Sequence, residues 1–185
     1  MNDSKLQLSR PTIALHWIIA WTMIIMLAMG IFMAETETYA LYDLHKSIGV
    51  LIFFVILVRV VWRLRNGWLE PVSQYTPTEI LLSKIVHYVL LIGSVIIPIS
   101  GFMMSAAGGH GVAVFGLELV AANPDPLNPQ KVIALNETLA GIGHELHEIV
   151  SYLVIVALIL HIVGALKHHI IDKDGTLRRI LGKPL

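Results

Sequence analysis

Nine histidines and no cysteine are the chemically distinctive residues of this 185-residue chain. Histidine binds metals through a neutral ring nitrogen and exchanges protons near neutral pH. The absence of cysteine excludes disulfides, thiolate-bound iron–sulfur clusters and a haem attached through a Cys-x-x-Cys-His motif. The available chemistry is therefore that of imidazole, acting either on a metal or on a proton.

The histidines lie in a chain whose composition suits a bilayer. Hydrophobic residues make up 56% of it and charged residues 14%, whereas about 25% of a soluble domain is charged. Four segments provide the roughly 20 apolar residues that a membrane-crossing helix needs, at 12–34, 44–64, 82–104 and 141–168. The sequence predicts an all-α membrane protein, a four-helix bundle forming one domain over 1–185. A soluble enzyme is excluded and, since the net charge is zero, so is a nucleic-acid-binding protein.

Lysine and arginine are distributed unevenly between the two ends of the predicted bundle. Eleven of the thirteen fall on the side that holds both termini, and only Lys46 and Lys131 fall on the other. Because positive residues concentrate on the cytoplasmic side, we expect both termini to be cytoplasmic. The external side carries eight of the thirteen acidic residues and a long loop over 105–140, whose proline-rich segment 123–129 predicts irregular structure.

Four histidines occur in pairs at matched depths in the predicted helices. His16 and His161 lie near the cytoplasmic ends of helices one and four, and His45 and His147 near the external ends of helices two and four. His147 and His161 are 14 residues apart, which is about 21 Å along one helix face, so a single metal ion cannot use both. Two imidazoles from facing helices can hold a planar macrocycle through both axial positions of its iron, whereas zinc prefers four ligands. The pattern predicts two haem groups with these histidines as axial iron ligands.

Small and basic residues near these histidines allow two interpretations each. Gly49 and Gly164 would let a large ring approach a helix backbone, or would only pack helix against helix. Arg59 follows His45 by 14 residues and shares its face at cytoplasmic depth. Its guanidinium either pairs with haem propionates or extends to the lipid headgroups.

The ordered motifs resemble the bacterial cytochrome b561 family of four-helix dihaem proteins over nearly the whole chain. The motifs are Leu15-His16-Trp17, His45 with Gly49, His87 with Pro98 and Gly101, His147-Glu148 followed by His161, and the tail Lys167-His168-His169. The resemblance implies haem b, bound by His16, His45, His147 and His161, in a multi-pass protein of the bacterial inner membrane.

The resemblance also implies electron transfer across the membrane. One activity in the family takes electrons from superoxide at the outer face and passes them to ubiquinone, and by that analogy His168 and His87 would serve the quinone. Lys46, beside His45, is a positive charge available to superoxide, but steering an anion favours a positive face, and this external face is acidic.

Two other functions remain open on the sequence. The first is a haem b anchor and electron-transfer subunit of a separate dehydrogenase, such as a hydrogenase or a formate dehydrogenase. The second is a membrane binding protein or transporter without haem, which would use the histidines for metal or protons. The second requires the matched depths of the histidines to be accidental.

Overall fold

Four long helices dominate the computed structural model, which describes Asp3 and residues 7–183. Lys5, one of the cations expected on the cytoplasmic side, lies outside the described residues. The helices are α1 (Arg10–Thr36), α2 (Tyr42–Asn66, preceded by a 3-10 turn at Tyr39–Leu41), α3 (Pro77–Ala107) and α4 (Glu137–Ile170). All four are long and apolar enough to cross a membrane. Each extends past its predicted span because a helix can continue into the headgroup region, beyond the roughly 30 Å hydrocarbon core. The chain is a mostly helical, multi-pass membrane protein.

Close packing joins α3 to α4 along a seam of small residues. A Cβ atom added at Gly93 would lie 2.3 Å from Cγ2 of Val154, and one added at Gly143 would lie 2.6 Å from the backbone nitrogen of Met104. The missing side chains therefore let the two helices approach closely. Helix α2 contacts α1 and α3. A central apolar cluster joins α1, α2 and α4, and consists of Ile19, Met23, Ile52, Ile56 and Val154.

The connection between α3 and α4 contains two antiparallel hairpins, which the sequence did not predict. Strands β1 (Val112–Val114) and β2 (Leu117–Val120) form one, and β3 (Pro124–Asp125) and β4 (Asn128–Val132) form the other. The expectation of irregular structure over 123–129 was therefore wrong.

The prolines of this segment are accommodated because they occupy positions where a backbone N–H is dispensable, namely short edge strands and a turn. The Asp125 carboxylate accepts a hydrogen bond from the Leu127 amide at 2.8 Å and stabilises that turn. The Asn123 side chain donates to the Ile133 carbonyl oxygen at 2.8 Å and closes the base of the hairpin.

At the opposite end of the bundle the C-terminal segment binds back to the helices. The short helix α5 (Thr176–Ile180) presents the carbonyl oxygen of Ile180 to Nε1 of Trp17, which donates to it at 3.0 Å. Nε1 of Trp62 donates to the Thr12 hydroxyl at 2.8 Å and joins α2 to α1. These bonds fix the end of α1 that carries His16.

Candidate functional site

The pair expected at the cytoplasmic end lies between α1 and α4. The ring centres of His16 and His161 are 6.2 Å apart. A third imidazole joins them from α3, because the ring of His87 lies 5.2 Å from that of His161. The sequence predicted that His16 and His161 would meet but gave no reason to place His87 against His161.

Arg59 reaches this inner pair from α2. Both of its terminal nitrogens, Nη1 and Nη2, lie 3.3 Å from Nδ1 of His16. A guanidinium only donates hydrogen bonds, so Nδ1 of His16 is the acceptor. This contact argues against the interpretation in which Arg59 extends away from the site to the lipid headgroups.

The pair expected at the external end lies between α2 and α4. The rings of His45 and His147 are also 6.2 Å apart. Nδ1 of His147 donates a hydrogen bond to the carbonyl oxygen of Ile97 on α3 at 2.9 Å, because a carbonyl can only accept. That bond places the ring hydrogen on Nδ1 and leaves Nε2 with its lone pair, as a metal-binding histidine requires.

His45 contains an unsatisfied polar atom. Its Nδ1 is the one buried side-chain nitrogen or oxygen without a hydrogen-bond partner among Asp3 and residues 7–183. A buried polar atom with no partner is costly. The ring stands opposite the backbone of α1, where a Cβ added at Gly30 would lie 3.8 Å from Cε1 of His45.

Comparison with known proteins identifies the family. The chain matches the prokaryotic cytochrome b561 family over residues 7–183. It belongs to that family. It is 34% identical over 175 residues to cytochrome b561 homolog 2 of Escherichia coli (strain K12), covering 92% of this chain and 88% of that protein. It is 29% identical over 177 residues to the probable superoxide oxidase CybB of Yersinia pestis, covering 92% and 93% respectively.

Family membership implies haem b, and the two histidine pairs can be tested for their fit to it. A metal–imidazole bond is about 2 Å long and a ring nitrogen lies about 1 Å from the ring centre, so two imidazoles on opposite sides of one ion have centres about 6 Å apart. Both pairs have that spacing, at 6.2 Å. At the His45–His147 pair the ring hydrogen of His147 is already on Nδ1, and the buried Nδ1 of His45 has no hydrogen-bond partner among the described residues.

The cytoplasmic pair fits haem b under one condition. Because Nδ1 of His16 accepts from Arg59, a neutral His16 carries its hydrogen on Nε2, whereas a metal needs a nitrogen lone pair. The fit therefore requires Arg59 to turn away from Nδ1, and a haem carboxylate is the acceptor that suits its planar donor group.

The two glycines that the sequence placed beside the histidines as possible room for a large ring, Gly49 and Gly164, are not part of close helix packing. A Cβ at Gly164 would meet nothing within 4 Å, and one at Gly49 would meet only Cε of Met26 at 3.8 Å. Both therefore leave open space at the helix surface, as a bulky ring requires. The glycines that do pack helices together, Gly93 and Gly143, were not identified from the sequence because their spacing alone does not show which helix faces them.

The quinone candidates lie in different surroundings. The Ser83 hydroxyl lies 3.2 Å from Nδ1 of His87, whose ring contacts the inner pair. Nδ1 of His168 lies 2.7 Å from the Asp172 carboxylate, and its ring packs 4.6 Å from that of Tyr75. Tyr75 lies in the connection between α2 and α3. No pattern in the sequence marks it as part of a functional site.

His168 belongs to a network of charged groups at the C-terminal end of α4, beyond His161. His168, Asp172 and Asp174 bring their potential ligand atoms within 4.8 Å of one another, close enough to hold a metal ion. Other groups already bind these carboxylates, since Nζ of Lys167 donates to Asp172 at 2.8 Å and the Tyr75 hydroxyl donates to Asp174 at 2.5 Å. These contacts favour a hydrogen-bonded network over a metal site.

This network also shifts the pKa of two of its groups outside the helices, Tyr75 and Asp174. Burial and the hydrogen bond to Asp174 raise the pKa of Tyr75 above its ordinary value. Burial raises the pKa of Asp174, but the hydrogen bonds from Tyr75 and Thr176 outweigh it, and the net pKa of this carboxyl is lowered. The tyrosine is therefore neutral and the aspartate ionised over the physiological range.

Lys46 lies at the end of the bundle that holds His45, but its own contacts partly neutralise its charge. Its Nζ lies 3.3 Å from the Gly111 carbonyl oxygen and 3.5 Å from the Asp43 carboxylate. The lysine thus anchors the external connection to α2 beside His45. Its charge faces one of the acidic residues that make this end of the molecule negative.

Proposed function

We propose that this chain is a dihaem cytochrome that carries single electrons across the bacterial inner membrane, from superoxide at the outer face to ubiquinone at the inner face. The observation that carries the proposal is the presence of two histidine pairs with one spacing, 6.2 Å, at opposite ends of one bundle. In this proposal His16 and His161 hold the inner haem, His45 and His147 hold the outer haem, residues 1–185 form one domain, and both termini are cytoplasmic.

The protein contributes ligands, orientation and insulation. Haem b supplies reversible one-electron chemistry when bound. The Ile97 carbonyl fixes the ring of His147 through Nδ1. Ile56 is fully buried, and the apolar cluster around it excludes water between the two haem sites. The cluster thereby separates the outer reaction from the proton-dependent reaction at the inner site.

The outer half-reaction in this proposal needs no proton. Each superoxide gives up one electron and becomes dioxygen. The name of the Yersinia pestis relative, a probable superoxide oxidase, supports this substrate at 29% identity. Lys46 is the cation closest in sequence to His45, and we propose that its charge offsets the local acidic residues as the anion approaches.

The inner half-reaction consumes protons as well as electrons. Two electrons and two protons convert ubiquinone to ubiquinol, so the site needs groups that can hold and pass a proton. We propose His168 for this role, because an imidazole ring can both donate and accept a proton and this one contacts two carboxylates at the cytoplasmic end, Asp172 at 2.7 Å and Asp174 at 3.4 Å. His87, against the inner pair, is the second candidate for hydrogen bonding to the quinone.

The deciding experiment exposes the purified, oxidised holoprotein to a pulse of superoxide in the presence of ubiquinone. We expect fast haem reduction at the wavelengths of haem b, followed by ubiquinol formation. His147→Ala should abolish the fast phase while the inner haem remains. His168→Gln should retain haem and its reduction but slow ubiquinol formation. Absence of haem reduction after the superoxide pulse would overturn superoxide as the donor.

The acidic external face favours a second candidate function. Eight of thirteen acidic residues but only two of thirteen lysines and arginines are assigned to that side, which suits a basic protein better than an anion. In that case the chain would be the haem b anchor and electron-transfer subunit of a separate dehydrogenase. A dehydrogenase subunit that co-purifies in fixed ratio, together with absent superoxide reactivity, would select this candidate.

A further inference from the structure

The turn of the β1–β2 hairpin carries an exposed aromatic residue in a strained conformation. Phe115 and Gly116 both have positive φ, at 47° and 88°. Two-residue hairpin turns of this kind strongly favour Asn, Asp and Gly, because a residue with a bulky side chain is disfavoured at positive φ. Phe115 is nevertheless 67% exposed, so packing within the chain does not offset the strain.

The hairpin extends this exposed apolar surface along one strand. Leu117 is 68% exposed and Leu119 is 49% exposed. Side chains two apart on a strand point to the same face, so these leucines lie together, while Glu118 points to the other face. Large apolar side chains grouped on a surface indicate contact with another molecule or with lipid.

A hydrogen bond fixes the depth of the hairpin tip. The Phe115 amide donates to the Ser47 hydroxyl at 3.0 Å. Ser47 is five residues beyond Tyr42, where α2 begins, which places it about 7.5 Å inside the helix. From Ser47 the helix contains no charged residue until Arg59. The tip therefore lies beside α2 where that helix enters the hydrocarbon region, at the depth of the headgroup boundary.

The same bond satisfies a requirement that lipid imposes on the backbone. In a two-residue turn the N–H of the first central residue is not used by the hairpin ladder, and an unsatisfied N–H is costly away from water. Ser47, which is 3% exposed, accepts that N–H and donates in turn to the Asp43 carbonyl oxygen at 2.7 Å. This is an arrangement suited to a turn that leaves water.

We propose that the β1–β2 hairpin inserts Phe115, Leu117 and Leu119 into the interface of the outer lipid leaflet. The lipid contact anchors the external connection beside His45 and covers the exposed ring of Phe115. Tyr39 and Tyr42, which are 73% and 40% exposed and stack with ring centres 5.8 Å apart, lie at the same end of the bundle. Tyrosines are enriched at this level of membrane proteins.

The absence of native cysteine allows a direct test in the full-length holoprotein. Phe115→Cys is labelled with a nitroxide and reconstituted into vesicles of phosphatidylethanolamine and phosphatidylglycerol. Electron paramagnetic resonance then compares collisions with oxygen, which dissolves in lipid, and with a water-soluble nickel chelate. Leu127→Cys is the matched control, because Leu127 is at the turn of the other hairpin and 94% exposed.

We expect the ratio of oxygen to nickel accessibility to be several-fold higher at position 115 than at position 127. Nickel accessibility at 115 equal to that at 127 would overturn the proposal, as would protection from both reagents, which indicates a protein contact. Leu117→Cys provides a second reporter on the same face, and the haem spectrum of each labelled protein verifies that it has folded.

Discussion

Gly101 on α3 and His147 on α4 approach so closely that a single added methyl group would not fit between them. A Cβ at position 101 would lie 2.9 Å from Cε1 and 3.0 Å from Nδ1 of the imidazole. The ring occupies this space because its Nδ1 donates to the Ile97 carbonyl oxygen, one turn earlier on α3. The absence of a side chain at Gly101 therefore sets the orientation of a ring in the external pair.

Gly101→Ala should displace that ring and weaken the outer haem site. The alanine must push the imidazole from α3, which breaks its bond to Ile97 and with it the constraint that presents Nε2. Loss of such a supporting contact typically lowers metal affinity about 10–100-fold. We expect the haem content per chain to fall toward that of the inner site alone, as measured by the pyridine haemochrome assay.

Gly141→Ala is the matched control for this substitution. Gly141 lies at the same end of the bundle, and a Cβ there would meet nothing within 4 Å. The control should retain full haem content and gain slightly in helix stability. If Gly101→Ala also retained both haems with an unchanged spectrum, the proposed role of His147 as an outer ligand would be wrong.

The meeting of the histidine pairs was predictable because helix geometry converts spacing along the chain into depth. The interval between His147 and His161, with the lysine and arginine asymmetry, places each histidine at one end of the bundle without any knowledge of packing. The ends of the helices were less accurate, since polar residues in the headgroup region continue a helix without contributing to the apolar pattern.

Contacts that depend on the rotation of each helix about its own axis were not predictable. The sequence shows where Gly93, Gly101 and Gly143 lie along the chain, but it does not show which helix each of them faces. Gly93 and Gly101 face α4, and Gly143 faces α3. The contact between the rings of His87 and His161 could not be predicted for the same reason, because it depends on the rotation of α3 about its axis. The β3–β4 hairpin was missed because the prolines of 123–129 suggest irregular structure, whereas short edge strands and turns tolerate them.

Arg59→Gln should lower the reduction potential of the inner haem. A positive charge beside a haem stabilises the reduced state, which carries one positive charge fewer. At an effective dielectric constant of about 20, one charge several ångströms away corresponds to on the order of 50–100 mV. Redox titration in the membrane should show that shift in one of two haem components.

Two variants separate charge from position in this prediction. Arg59→Lys retains the charge but not the planar pair of donors, so it should preserve most of the potential. Arg65→Gln removes an exposed charge at the C-terminal end of α2, where solvent screens it, and should leave both potentials unchanged. An equal shift in Arg59→Gln and Arg65→Gln would remove the argument for a specific contact at the inner pair.

Tyr75→Phe should destabilise the end of the bundle that carries the α2–α3 connection by about 1 kcal/mol, the scale of a hydrogen bond to a charged group that is partly open to water. The lost bond is the one from the tyrosine hydroxyl to Asp174, whose side chain is 7% exposed. Thermal unfolding of the holoprotein in detergent measures the difference. Tyr152→Phe is the control, because Tyr152 is 60% exposed on α4.

The stability difference between the wild type and Tyr75→Phe should depend on pH in one direction. The pKa of Asp174 is lowered in the folded protein, so its contribution is complete above the unfolded carboxyl pKa of about 4 and is lost as pH falls through the folded value. The pKa of Tyr75 is raised, so its contribution is complete below about pH 10 and is lost above it. A difference that grew on acidification would contradict the assigned bond.

Lys46→Gln and a salt titration together test how superoxide would reach the external pair. An anion approaching an acidic face is repelled, and salt screens that repulsion, with a Debye length of about 10 Å at 0.1 M and about 30 Å at 0.01 M. The rate of haem reduction by superoxide should therefore rise with ionic strength in the wild type. Lys46→Gln should lower the rate several-fold at low salt and have little effect at high salt, whereas Lys131→Gln, in strand β4, should change it less. A wild-type rate that falls as salt is added would instead mean that the field at the outer site is positive, with the acidic residues too distant to matter.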